Sequence, residues 1–404
     1  LEENFSIKQA MALFQKQNPD VYVKYEYTYA FLEKDSSMTV TDALKNLNVE
    51  LLSGTGPDVI LLDGMDASVY SGKGMLADLS PVLKELVDQQ AVFENIASAY
   101  KQENGTFVIP ASFSLPLLFG RQEDVEAVKD MDSLAAVVEK LRQENPEGSI
   151  TGAFSARQEL LQLMKVNSVG WLDGKELDTQ AVSNFLNQAL RIYKADMQGV
   201  SKEELEVWGE TERAWNLGSL ASLTAGDMIK IMAGTASNML MDMGAVSKVV
   251  DEQGYVFDLW PGEEGTGYLP MDKLAVSASS TQQEQAVNFV KLMLGEEYQK
   301  MNTGSGFPVN RAAFDSQDET DGEMSMGTGW KVGGKDMQFS YGYPTEAVAT
   351  RVKELAQNAE ISLEGNVVLE EAVVEIGVQV LTGSMSVEQA VKEIQQKTAI
   401  YLSE

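Results

Sequence analysis

Cysteine and histidine are both absent from the 404 residues. Their absence excludes a disulfide framework, a thiol nucleophile and any Cys or His metal site. Ser-His-Asp and Cys-His catalysis go with them. An all-oxygen Ca²⁺ site and a two-carboxylate glycosidase stay open on composition alone. Long apolar runs are lacking too, since none approaches the ~20 residues needed to cross a bilayer. Basic residues are few, 31 against 61 acidic, for a net charge of −30. Nucleic-acid binding rests on Lys and Arg neutralising phosphate, so this balance argues against it. It also disfavours anionic lipid surfaces and polyanionic ligands. The opening LEENFSIKQA has neither a basic start nor an apolar core. That fits either a cytosolic chain or a mature, trimmed extracytoplasmic one.

What is present is ordinary for a globular protein: 44% apolar and 23% charged residues. A chain of 404 residues exceeds what one core usually serves, so two domains are expected. Ile7, Ala10, Met11 and Phe14 share a helical face that Asn18–Pro19 stops. Val21, Val23, Tyr25, Tyr27 and Tyr29 alternate with Tyr22, Lys24, Glu26 and Thr28, which is strand periodicity. Leu44, Leu47 and Leu51 mark a second helix, and Val59–Leu62 is an unbroken apolar run. Such a run reads as a strand buried on both faces, and strand, helix, strand implies a parallel βαβ unit. Ligands in open α/β sheets sit beyond the carboxyl ends of strands, so the turn Asp63–Gly64–Met65 is the first candidate site.

Further along, Ser80–Pro81 opens a helix and Thr106–Ile109 is a short strand ending at Pro110. In Ala111–Gly120 prolines bracket an apolar passage, which predicts an edge or an interdomain crossing rather than a central strand. Val182, Phe185, Leu186, Ala189 and Tyr193 share a helical face. Asp227–Ala233 reads as helix and Ser237–Met241 as a short strand, with Asp242–Met243–Gly244 at its end. Tyr255–Trp260 and Leu274–Val276 are strands, and Thr281–Glu284 and Ser386–Gln389 are capping boxes. Residues 315–342 read as a long polar loop, followed by two helical segments. The return to the first domain is placed near Tyr268.

Gly54–Gly56 lacks the Gly-Lys-Ser/Thr of a phosphate loop, and Gly304–Gly306 lacks the third glycine of a dinucleotide fingerprint. Asp315, Asp318, Glu319, Asp321 and Glu323 have the ligand type for Ca²⁺ without EF-hand spacing, so they read as a solvated loop. Trp171, Trp208, Trp260 and Trp330 stand beside Gly or Pro, where flat rings suit stacking on sugars or simply plug a lobe.

In order, FSIKQAMALFQKQNPDVYVKYE, LLSGTGPDVILLD, MLADLSP, GTFVIPASFSLPLLF, KIMAGTASNMLMD, KLAVSASSTQQEQAVNFVKLMLGEEYQKMNTGSGFPVN and SVEQAVKEIQQKTAIYL resemble the extracellular solute-binding proteins of bacterial ABC importers. The likeness is to the carbohydrate-type, maltose-binding-protein-like family 1 and runs over nearly the whole chain. It implies an α/β, two-lobed, type II periplasmic-binding-protein-like fold with a crossed hinge and an interlobe cleft. The lobes would be residues 1–110 with 268–311, and 111–267 with 312–404. The resemblance puts Asp63, Gly64 and Met65 on the cleft wall, Phe113 near the hinge, and Asp242, Met243 and Trp260 on the second lobe, with Trp171 and Trp330 as further candidates. It implies no catalytic residue, no cofactor and no metal. The partners would be a saccharide and a membrane permease, for a monomer held outside the cell by a lipid anchor. Family members begin with a lipoprotein signal, an anchoring Cys and a strand before the first helix, none of which stands in this sequence. A cationic ligand (polyamine or basic peptide) and a carboxylate-pair glycosidase are the alternatives.

Overall fold

The computed structural model describes residues 5–27, 40–152, 155–173, 176–202, 230–262, 264–301, 306–317, 326–332 and 335–402. The chain forms two compact units: Leu1–Ser114 with Pro270–Glu319, and Leu115–Leu269 with Thr320–Glu404.

Helix α1 (Phe5–Gln17) buries Ile7, Ala10 and Phe14, and Asn18 closes it by donating its side-chain amide to the Phe14 carbonyl at 3.0 Å. Helix α2 (Val40–Ser53) buries Leu44 and Leu51 and leads through a turn to β1 (Val59–Leu61). Next come α3 (Ala67–Gly72), α4 (Ser80–Asp88, with Pro81 in its first turn), α5 (Glu94–Ala97) and a small hairpin, β2 (Lys101–Gln102) and β3 (Gly105–Thr106). Strand β4 (Ile109–Gly120) carries the chain into the second unit. There follow α6 (Gln122–Ala127), α7 (Met131–Glu144), α8 (Ala156–Asn167), the hairpin β5 (Leu172–Asp173) and β6 (Glu176–Leu177), and α9 (Thr179–Met197). Strand β7 (Ile231–Ala236), a π-helical turn (Met239–Met243), α10 (Gly244–Gln253) and β8 (Val256–Leu259) complete this passage. Strand β9 (Gly267–Val276) returns the chain to the first unit for α11 (Gln283–Leu294), α12 (Glu296–Met301), β10 (Phe307–Pro308) and α13 (Arg311–Asp315). The second unit then receives the hairpin β11 (Met326–Val332) and β12 (Lys335–Tyr341), α14 (Glu346–Asn358), β13 (Ile361–Ser362), α15 (Val367–Leu381) and α16 (Val387–Leu402).

Several expectations need correction. Strand β1 pairs antiparallel with β9, Val59 opposite Val276 and Leu61 opposite Leu274, and only Ile60 of its three residues is fully buried. Val21–Tyr27 lies in no strand, so the parallel βαβ unit is not formed among the described residues, and Tyr29 lies outside them. The passage read as an edge is instead central. Every residue of β4 is buried; its first half pairs with β10, and Leu117–Gly120 pair on one side with β7 and on the other with β8. Proline removes a donor but keeps its acceptor, and the Pro116 carbonyl takes the Trp260 amide at 2.9 Å. Around residue 235 the assignments reverse: Ile231–Ala233 is strand and Met239–Met241 helical, because the apolar run pairs against the buried β4. Asp227–Ile229 lie outside the described residues.

The Ser386–Gln389 capping box is present, with both backbone amides bonded by the opposite side chain. The Thr281–Glu284 box is not: α11 starts at Gln283, and Ser280 Oγ accepts the Gln282 amide at 3.0 Å. Within 315–342 the chain forms the β11–β12 hairpin, and three helices rather than two follow it. Asp318, Glu319, Asp321 and Glu323 lie outside the described residues. The core of the second unit packs α7, α8, α9 and α15 around Leu160, Val182, Leu186, Ala189 and Val373, all at 0% exposure. Each such leucine or valine side chain contributes roughly 1.5–3 kcal/mol by burial.

Candidate functional site

In the first unit, the turn after β1 is built from backbone first. Gly64 adopts φ 75°, a left-handed conformation that costs a glycine little, and it turns the chain back so that Met65 is buried while Asp63 is half-buried. The Asp63 carboxylate accepts the Lys273 amide at 3.1 Å, and Tyr70 reaches the Met65 sulfur at 3.5 Å. Burial pushes the Asp63 carboxyl above the usual carboxylate range, while the charge and amide of Lys273 pull it back.

Asp63 and Met65 stand in the wall of a cavity of about 1440 Å³, with Phe14, Tyr25, Tyr27 and Gln285. The rings of Tyr25 and Tyr27 lie 5.7 Å apart, tilted by 31°, and both residues are half-buried. A wall that holds flat aromatic faces as well as carboxylate and amide groups can stack on an apolar ring face and bond its hydroxyls. These tyrosines were legible only as strand alternation; the signal for their other role is the Tyr-x-Tyr spacing itself, which puts both rings on one side of an extended chain. No group of three or more metal-ligating side chains occurs among the described residues.

The second unit holds the other expected turn. Asp242, buried in the π-helical turn, accepts from the Ser237 amide at 2.8 Å, the Ser237 hydroxyl at 3.2 Å and the Asn238 amide at 3.0 Å. Burial pushes its carboxyl up and these donors oppose the shift. Met243 is fully buried beside it. π-Turns of this kind are frequent at functional sites.

The aromatic residues expected to face ligand are placed differently. Trp260 is 1% exposed and Trp171 2%, both within the apolar core of the second unit, and Trp171 packs edge-on to Phe185 at 5.0 Å. Phe113 is wholly buried in a cluster with Phe93, Phe307 and Phe314. None of the three offers a free ring face. For the two tryptophans loop position misled, because Gly and Pro neighbours set the backbone and not the direction of the ring; Phe113, expected near the hinge, stands two residues before Leu115, where the second unit begins. Trp330 lies in β11 opposite Met337; Trp208 lies outside the described residues.

The profile of the bacterial extracellular solute-binding protein family matches residues 9–325. Direct comparison with curated protein sequences gives no match. Among solved structures, a family 1 extracellular solute-binding protein from Alicyclobacillus acidocaldarius aligns with TM-score 0.56 at 13% identity, covering 99% of this chain and 95% of that one. Maltose-bound MalE3 of T. maritima aligns with TM-score 0.54 at 16% identity, over 98% and 96%. The sugar-binding protein MalE of Xanthomonas citri aligns with TM-score 0.57 at 13% identity, over 98% and 94%. At such identities these structures establish the fold, a two-lobed α/β architecture.

Proposed function

Because the chain belongs to the bacterial extracellular solute-binding protein family, we propose that it captures a saccharide outside the cell and delivers it to an ABC permease. The observation that carries this reading is the cavity of the first unit, whose wall includes the paired tyrosine rings as well as Asp63 and Met65. A sugar presents an apolar ring face and a rim of hydroxyls, and hydroxyl bonds to a carboxylate are stronger than bonds to a neutral acceptor. The maltose in the T. maritima relative supports the same ligand class. The two units are then the two lobes, and β4 and β9 are the paths of the hinge.

The proposed mode of capture is lobe closure. Ligand favours the closed arrangement only through contacts the open one lacks; on this reading half-buried Asp63 is the first unit's candidate contact, and fully buried Met243 shapes the turn that carries Asp242 rather than touching ligand. A thermal-shift screen against oligosaccharides, polyamines and basic peptides tests this, since a ligand that binds only the folded chain raises its melting temperature. An oligosaccharide should give the rise. A polyamine that did so in place of every saccharide would overturn the reading.

A further inference from the structure

Lys273 sits in β9 at 3% exposure, in a chain with twice as many acids as bases. A buried ammonium is costly unless its surroundings repay it. Here they do so through one short stretch of chain. The Lys273 carbonyl accepts the Leu62 amide at 2.9 Å, its amide donates to Asp63 Oδ2 at 3.1 Å, and its Nζ donates to the Met65 carbonyl at 3.0 Å. The ring of Tyr100 lies 5.8 Å from the ammonium, a cation–π distance. One residue thus grips the turn before, at and after Asp63.

The preceding residue explains how. Asp272 has φ 49°, a left-handed conformation that non-glycine residues seldom adopt and that persists only where surroundings enforce it. Its side chain is fixed by Ser112, which donates to Asp272 Oδ2 at 2.7 Å. With residue 272 in this conformation, the Lys273 amide is presented to the Asp63 carboxylate at 3.1 Å.

We propose that Lys273 is the positioning residue of the ligand wall, holding the Asp63–Met65 turn in shape through its carbonyl, its amide and its ammonium. The assignment rests on the saccharide-capture reading for its purpose, though not for its geometry. Among the described residues, the charged and titratable groups around the turn are Lys273 and Asp272 from β9, Asp66 directly after Met65, Tyr100 beside the ammonium, and Tyr70 on Met65.

The test is methyl-¹³C methionine NMR on the full chain, with the Met65 signal assigned by Met65→Leu. In the unaltered protein that signal should shift with acid as Asp63 takes up its proton. Lys273→Met, and Lys273→Gln, which keeps a donor for the Met65 carbonyl without the charge, should raise the midpoint by about one pH unit or more. Lys273→Arg should leave it in place. The acid limb of maltotriose binding should move with the Met65 midpoint, a coupling that a merely structural role would not produce. An unmoved midpoint in the Gln variant overturns the proposal. A moved midpoint in a protein whose melting temperature no saccharide raises would sink the capture reading and leave the Lys273 assignment standing.

Discussion

Arg142 donates through Nη2 to the main-chain carbonyl of Asp196 at 2.6 Å, while the Asp196 carboxylate turns away to Ser149, Ile150 and Thr151. The buried guanidinium also serves the carbonyls of Ala195 at 2.7 Å, Asn145 at 2.8 Å and Gly148 at 2.6 Å. It therefore ties the end of α9 to the loop after α7. Removing it leaves four carbonyls to find other donors inside the protein, so Arg142→Met should cost about 3 kcal/mol or more. Lysine lacks the planar fork and should recover less than half of that. Urea unfolding checks both. A methionine variant within about 0.5 kcal/mol of the parent would show the hub to be dispensable.

Glu159 stands beside the same cluster with far less support. It is 2% exposed, and its contact is Thr151 Oγ1, donating to Oε2 at 3.5 Å. Burial, then the charge of Asp196, push its carboxyl well above the ordinary 4.5. Glu159 is then neutral in the folded protein at a pH where the unfolded chain ionises it. The stability it supports is complete below the unfolded value and is lost as pH rises through the folded one. Glu159→Gln removes that dependence. Its stability relative to the parent should be lowest near pH 4 and climb by up to about 1.4 kcal/mol per pH unit above the unfolded value. Denaturant melts at pH 4, 6 and 8 decide it; a constant difference would mean that Glu159 titrates normally.

The contrast between α1 and β7 shows what the sequence could carry. Ile7, Ala10 and Phe14 fall on one face whatever surrounds the helix, so their spacing alone predicts the burial that is found. Ile231–Ala236 is strand because β4 lies alongside it, and no local pattern contains that partner. The same divide runs through the site. The turn at Asp63–Met65 was legible as a turn because an apolar run ending in Asp-Gly is a local signal. Lys273 was not, since it meets that turn only after the chain has passed through the second unit and returned. The ring directions of Trp171 and Trp260 are likewise set by tertiary packing, which loop composition does not encode.

Trp260 and Tyr27 should therefore fail in opposite ways. Trp260 fills the second unit's core at 1% exposure, so Trp260→Ala should cost about 3–5 kcal/mol and lower the unfolding midpoint. Tyr27 is half-buried at the wall of the first unit's cavity, with Tyr25 as its ring neighbour. Tyr27→Ala should leave the midpoint close to the parent's and weaken saccharide binding at least about tenfold, which is ~1.4 kcal/mol. Calorimetry with the saccharide that best raises the melting temperature, alongside urea melts of both variants, separates the two effects. If Trp260→Ala instead lost affinity at full stability and Tyr27→Ala did neither, the stacking face would belong to the second unit, and the tyrosine pair would be packing alone.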